Sequence, residues 1–285
     1  MNHKMKALRG KPSIFTSVRP EEKRAELQVK GLTLKSGSVT ILNRIDLSLS
    51  SGELFAIIGP NGAGKSSLLN CISGYLKAQE GQIFFNGQEI TNFLPRRLAK
   101  IGIARTHQGI SLLPKTTVQS NLLLARHIYF NYGIVKASIF AGSVQEDEVR
   151  NRKIVEELID FLEMQPIRKK PVDFLSYGMR KRVELGMALA MEPKLLILDE
   201  FFAGMTLQEK KDTVRFLTEL NAAWSQTIIL AENDMALAIS ISKKVAALGF
   251  GIKIAEGDPD FIQNHPQVGK AYFGDIAITG QVNTV

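Results

Sequence analysis

A chain of 285 residues with 45% hydrophobic and 22% charged residues carries enough apolar material for a sizeable core, which excludes a fibrous or wholly disordered protein. Its formal net charge is +8, and its one cysteine, Cys71, excludes an internal disulfide framework and reads as a small core residue of a protein from a reducing compartment. No run of about 18 uninterrupted apolar residues occurs, and the N-terminus MNHKMKALRGKPSIF lacks the apolar segment of a signal peptide, so the expectation is a soluble, cytosolic chain.

The first thirty residues hold eight Lys or Arg against Glu21, Glu22 and Glu26, and residues 1–25 read as a basic, solvated, disordered extension. From Glu26 the pattern alternates: ELQVKGLTLK, then Thr40 to Leu49, then EGQIFFNGQEI from Glu80, each bounded by Gly, Ser or Asn. These predict half-buried antiparallel strands. Three short continuous apolar runs, ELFAIIG (Glu53 to Gly59), KLLILDE (Lys194 to Glu200) and QTIILAEN (Gln226 to Asn233), predict strands covered on both faces and hence a parallel sheet. Between them EDEVRNRKIVEELIDFLEM places Val149, Ile154, Val155, Leu158, Ile159 and Leu162 largely on one helical face, a helical insertion. No internal repeat or low-complexity tract is present, so the organisation predicted is one mixed domain with a helical subdomain set into it.

Gly59 to Ser67, GPNGAGKSS, fits G-x-x-x-x-G-K-[ST] after a predicted strand and before the helical pattern SSLLNCISGYL. In that context Gly59, Asn61, Gly62, Ala63 and Gly64 turn backbone N–H groups onto phosphate oxygens, and the following helix, starting at Lys65, Ser66 and Ser67, presents its positive end. Lys65 would reach the β and γ phosphates and the Ser66 hydroxyl would ligate Mg²⁺. Asp199 and Glu200 close the run LLILDE, so one strand end delivers a carboxylate to the metal, mostly through water, and a second to the attacking water.

GPNGAGKSS, RTHQG (Arg105 to Gly109), LSYGM (Leu175 to Met179) and LLILDE in that order resemble the ATP-binding cassette subunits of membrane transporters, over Glu26 to about Gly274. The text is similar in particular to the branched-chain amino acid importer branch: IGIARTHQGISLLPKTTVQSNLLLARH with the long insertion after it, AGM at Ala203 to Met205, and FGIKIAEGDP at Phe250 to Pro259. The resemblance implies an α/β fold: a P-loop NTPase core with a mostly parallel central sheet, an N-terminal antiparallel β-subdomain and an inserted helical subdomain. The expected domain is residues 26–264, with the helical subdomain at about 109–178 and an extension over 265–285.

It also implies a constellation of partners and roles. Ser176, Tyr177 and Gly178 match the signature motif that closes over the γ-phosphate held by an opposite subunit, so two cassettes, identical or different, form the two sites. Gln108 matches the glutamine that contacts Mg²⁺ and the water. The helical subdomain would dock onto membrane-embedded permease subunits, fed indirectly by a solute-binding protein, with the cassette on the inner face of the cell membrane. One phosphate loop and one signature, without a long coiled coil, speak against the nucleic-acid cassettes that resemble this family, so no nucleic acid is expected.

Five positions depart from the pattern. Asn233 stands where the family has a histidine that contacts the γ-phosphate and holds the catalytic carboxylate, and His3, His107, His127 and His265 all lie elsewhere. Ser36 replaces the aromatic that stacks on adenine, Met179 a polar residue, Phe201 a proline, and Thr206 an Asp or Asn. An amide can donate a hydrogen bond but cannot take up a proton. The expectation is therefore an ATPase of reduced activity that powers transport, the alternative being a hydrolysis-poor cassette paired with an active one.

Overall fold

The computed structural model describes residues 25–106, 112–129 and 143–273. Of the extension expected over residues 1–25, Ala25 is described and is a buried core residue, whereas residues 1–24, His107, Gln108 and the last residues from 274 lie outside the described part.

Strands β1 (Leu27–Ser36), β2 (Val39–Leu49), β4 (Glu80–Phe85) and β5 (Gln88–Glu89) make an antiparallel sheet in the order β2-β1-β4-β5, as the alternation predicts. A second sheet runs β10-β9-β3-β8-β7-β6, from β3 (Leu54–Ile58), β6 (Ile103–Arg105), β7 (Leu195–Asp199), β8 (Thr227–Glu232), β9 (Lys244–Gly249) and β10 (Ile252–Gly257). Every pairing in it is parallel except β9 with β10.

The continuous apolar runs have a direct explanation. Each residue of β3, β7 and β8 is buried, and successive side chains enter different cores. Ile197 joins the cluster under the antiparallel sheet while Leu196 and Leu198 join the cluster under the helices, so both faces call for apolar residues along the middle of the strand.

The helices are α1 (Lys65–Ile72), α2 (Pro95–Lys100), α3 (Val118–Ala125), α4 (Ser143–Phe161), α5 (Tyr177–Ala190), α6 (Leu207–Trp224), α7 (Met235–Ile241), α8 (Pro259–Gln263) and α9 (Pro266–Phe273). The predicted face of α4 holds for Ile154, Val155, Leu158, Ile159 and Leu162, which are fully buried, but Val149 is 66% exposed. At about 100° per residue, Val149 lies roughly 140° from Ile154 and 180° from Leu158, so it belongs to the opposite side of the helix. The stretch from 265, read as an extension, begins with α9, which buries Val268 beside Ile262 in a third cluster against β9 and β10. Cys71 is a core residue, and burial pushes its thiol up to about 11, away from the reactive range. Among the described residues no helix is long and apolar enough to cross a membrane.

Leu158→Ala should destabilise the protein by about 2–5 kcal/mol and Val149→Ala by less than about 0.5 kcal/mol. Urea unfolding of both variants checks this assignment of the α4 face; equal losses would contradict it.

Candidate functional site

Four adjacent parallel strands end on the same edge of the sheet; three end on a charged residue and the fourth, β3, runs into the glycine-rich loop. Ile58, the last residue of β3 before the glycine-rich loop, is level with Glu232 at the end of β8. Asp199 at the end of β7 is level with Ala231, and Arg105 at the end of β6 with Ile197. Residues far apart in sequence are thus brought together outside the carboxyl ends of a parallel sheet, where such folds place their ligands.

After β3 the loop turns into α1. Gly64, the N-cap, has φ of +101°, a conformation that suits glycine, and no side chain caps the first turn. The first-turn N–H groups therefore lack an internal cap and suit an anion. Lys65 is only 3% exposed, and its ammonium donates to Gly59 O at 2.7 Å, Pro60 O at 3.1 Å and Asn233 Oδ1 at 2.5 Å. Burial lowers its pKa below the usual lysine range, against the raising charges of Glu200, Asp199 and Glu232.

Asn233 is a two-sided bridge. Its oxygen accepts from Lys65 while its Nδ2 donates to Glu200 Oε1 at 3.1 Å, the amide orientation that suits a donor-only lysine and an acceptor-only carboxylate. Glu200 itself sits at φ of +46°, uncommon for a residue with a side chain, with its N–H bonded to Ala231 O. Strain of about 1–3 kcal/mol at such a position persists where the surroundings fix it, and it is concentrated at functional sites.

Asp199 is completely buried, and both its oxygens are engaged: Ser66 Oγ donates to Oδ1 at 3.0 Å and the Arg105 guanidinium to Oδ2 at 2.8 Å. Ser66 and Asp199 thus offer two converging hard oxygens. That donor set fits Mg²⁺, which takes one or two protein oxygens and completes its shell with phosphate and water. Gln108, the other expected metal and water contact, lies outside the described residues.

The signature residues are placed differently. Ser176 caps α5, accepts from Met179 N, and donates to Glu209 Oε1 at 3.2 Å. A Cβ on Gly178 would stand 2.1 Å from the Glu209 carboxyl carbon, so only glycine lets this glutamate close in. Glu209 also forms a reciprocal capping box with Thr206, which holds its carboxyl below the usual range, chiefly through the Thr206 N–H. The structure joins Ser176 and Gly178 to Glu209 rather than to the phosphate loop. The remaining departures have local reasons: Thr206 is that N-cap, Met179 packs against the helical core, and Phe201 is buried beneath the Lys181 ammonium at 5.0 Å and edge-on to Phe202. Ser36 stands exposed at the end of β1.

Three residues escaped the sequence reading: Arg105, Glu209 and Glu232. Glu232 is 4% exposed and accepts from Phe202 N at 3.0 Å, tying β8 to the turn after Glu200. Burial, reinforced by the Glu200 charge, pushes its carboxyl up to about 7.

A family model described as ABC transporter matches residues 42–203. The chain belongs to the ABC transporter family. A second model, described as branched-chain amino acid ATP-binding cassette transporter, matches residues 253–277, which include α9. The high-affinity branched-chain amino acid transport ATP-binding protein LivG of Escherichia coli (strain K12) is 30% identical over 249 residues, 87% of this chain and 98% of LivG. BraF of Pseudomonas aeruginosa, which carries the same description, is 29% identical over 249 residues, with the same coverage. Among solved structures, the ADP conformation of MJ1267, an ATP-binding cassette of an ABC transporter, superposes with a TM-score of 0.74 at 28% identity, covering 88% of this chain and 99% of that one. A nucleotide-free ATP-binding cassette from an ABC transporter gives 0.75 at 28% identity, covering 88% and 100%. This ABC cassette therefore has the P-loop NTPase fold expected of its motifs, and it is similar to the ATP-binding subunits of the branched-chain amino acid type.

The Glu232 carboxyl predicts a pH effect. Its folded pKa of about 7 lies above the ordinary 4.5, so the folded state holds the proton more tightly and the resulting stability is lost as pH rises through 7. Glu232→Gln keeps an acceptor oxygen and cannot ionise. Wild-type stability relative to Glu232→Gln should therefore fall between pH 5 and pH 8 in urea unfolding; a difference independent of pH would contradict the assignment.

Proposed function

We propose that this chain is the ATP-hydrolysing subunit of an importer for branched-chain amino acids or related solutes. It works as a pair of cassettes, identical or different, beneath membrane-embedded permease subunits on the inner face of the cell membrane and, through them, takes solute from a binding protein. The names of LivG and BraF support the solute class, and the relay Lys65–Asn233–Glu200 is the observation that carries the chemistry.

In this reading Lys65 exchanges Asn233 for the β and γ phosphates, while the N–H groups from Gly59 to Ser67 cradle the same oxygens. Glu200 holds the attacking water as general base, and Asn233, released by Lys65, turns its amide to the γ-phosphate while keeping Glu200 in register. Ser66, Asp199 and Gln108 hold Mg²⁺, which when bound neutralises phosphate charge. Ser176 and Gly178 of one chain close over the nucleotide of the other, which requires Ser176 to exchange Glu209 for phosphate.

Two measurements test this. Lys65→Ala should remove ATP binding that the wild type shows by calorimetry, and equal binding by both would overturn the assignment of the loop. Asn233→His should raise ATP turnover, because an imidazole can bond the γ-phosphate and also handle a proton, and one such positioned group is worth on the order of 10² to 10⁴ in rate. Loss of turnover in Asn233→His would instead make the asparagine a working substitute in a re-tuned site. A wild type that binds ATP without turning it over, alone or with a partner cassette, would favour the hydrolysis-poor alternative.

A further inference from the structure

We propose that Arg105 is the positioning residue of the metal-binding carboxylate: its guanidinium fastens Asp199 to the face of α1 and so sets how tightly a divalent cation is held beside the nucleotide. This rests on the reading that Ser66 and Asp199 hold the metal.

A carboxylate with no exposed surface needs a counter-charge and a full set of donors. The Lys65 charge acts on Asp199, but the ammonium's hydrogen bonds go to Gly59, Pro60 and Asn233, so it does not fasten the carboxylate. Ser66 brings a hydroxyl only. Arg105 brings the charge at 2.8 Å, from a side chain that is 7% exposed and fixed at its other end. Its second nitrogen donates to Asn70 Oδ1 at 2.8 Å and to Ser73 Oγ at 3.2 Å. Ser73 donates its own hydroxyl to Leu69 O, so its oxygen is free to accept from the guanidinium.

The sequence builds this arrangement simply. Ser66, Asn70 and Ser73 recur at i, i+4 and i+7, one polar stripe on a helix whose Leu68, Leu69 and Ile72 are buried in the core. That stripe faces the ends of β6 and β7. Arg105 is level with Ile197, two residues before Asp199 on the neighbouring strand, so its long side chain reaches diagonally to the carboxylate. Serving Asp199 and the stripe together needs a rigid fork of donors, which a lysine lacks. With Oδ2 taken by Arg105, Oδ1 is the oxygen left beside the Ser66 hydroxyl, and the carboxylate cannot rotate to exchange the two without breaking its ion pair.

The test uses the full chain and manganese as the probe, read by electron paramagnetic resonance with ADP present. Arg105→Lys, which keeps the charge but loses the fork, should weaken Mn²⁺ binding about tenfold or more while metal-free ADP affinity stays unchanged. Asn70→Ala, which frees the far end of the guanidinium, should weaken it in the same direction by less. In metal-free urea unfolding, the effects of Arg105→Lys and Asp199→Asn should be non-additive. Wild-type Mn²⁺ affinity in both Arg105→Lys and Asn70→Ala, or strictly additive unfolding, would overturn the proposal. If the wild type binds ADP but no Mn²⁺, the metal reading of Ser66 and Asp199 falls, while the unfolding cycle still decides whether Arg105 fastens Asp199.

Discussion

A buried ammonium is the constraint on which this site depends. Lys65 must find acceptors in a place with almost no water, and its own loop supplies only two, the carbonyls of Gly59 and Pro60. The third comes from Asn233 at the end of another strand, and the same side chain holds Glu200 at the end of a third. One cation thereby links β3, β8 and β7 at the edge where the sheet opens. The parallel order of these strands is what makes such a link possible, because it delivers all their carboxyl ends to one place.

The charged groups around it have partners within the protein itself. Asp199 is paired with Arg105, Lys65 is surrounded by Glu200, Asp199 and Glu232, and burial makes Glu232 harder to ionise. None of these groups is an isolated buried ion, which would cost several kcal/mol. In the proposed function a nucleotide therefore enters a site where Lys65 and Asp199 already have partners, and its binding exchanges a hydrogen bond at Lys65. The same holds for the signature residues, where Glu209 already engages Ser176 and lies against Gly178.

Much of this was legible in the sequence because it is written at short range. The strands, the phosphate loop and the two carboxylates of LLILDE each announce themselves within ten residues, and their order along the chain carried the family. Asn233 was visible as a departure, but only as a donor; that it also accepts from Lys65 depends on a contact across 168 residues. Arg105 meets Asp199 across 94 residues only because β6 lies beside β7, and Glu209 reaches Ser176 across 33 residues through the packing of α5 on α6. Met179, Phe201 and Thr206 are visible as departures from the family's pattern, but their packing and capping contacts depend on the folded neighbourhood. Val149 departs from the expected face for a simpler reason: it is apolar but lies on the exposed side of the helix.

In the proposed function Lys65 trades Asn233 for phosphate while Asn233 keeps Glu200 in place. A crystal structure of the chain with Mg²⁺ and a non-hydrolysable ATP analogue tests it most directly. The expected result is Lys65 Nζ within hydrogen-bond distance of β and γ phosphate oxygens, Asn233 Oδ1 released from it, and Nδ2 bonded to Glu200 or the γ-phosphate. Phosphates bound with Lys65 still on Asn233, or Asn233 turned away from both Glu200 and the γ-phosphate, would contradict it.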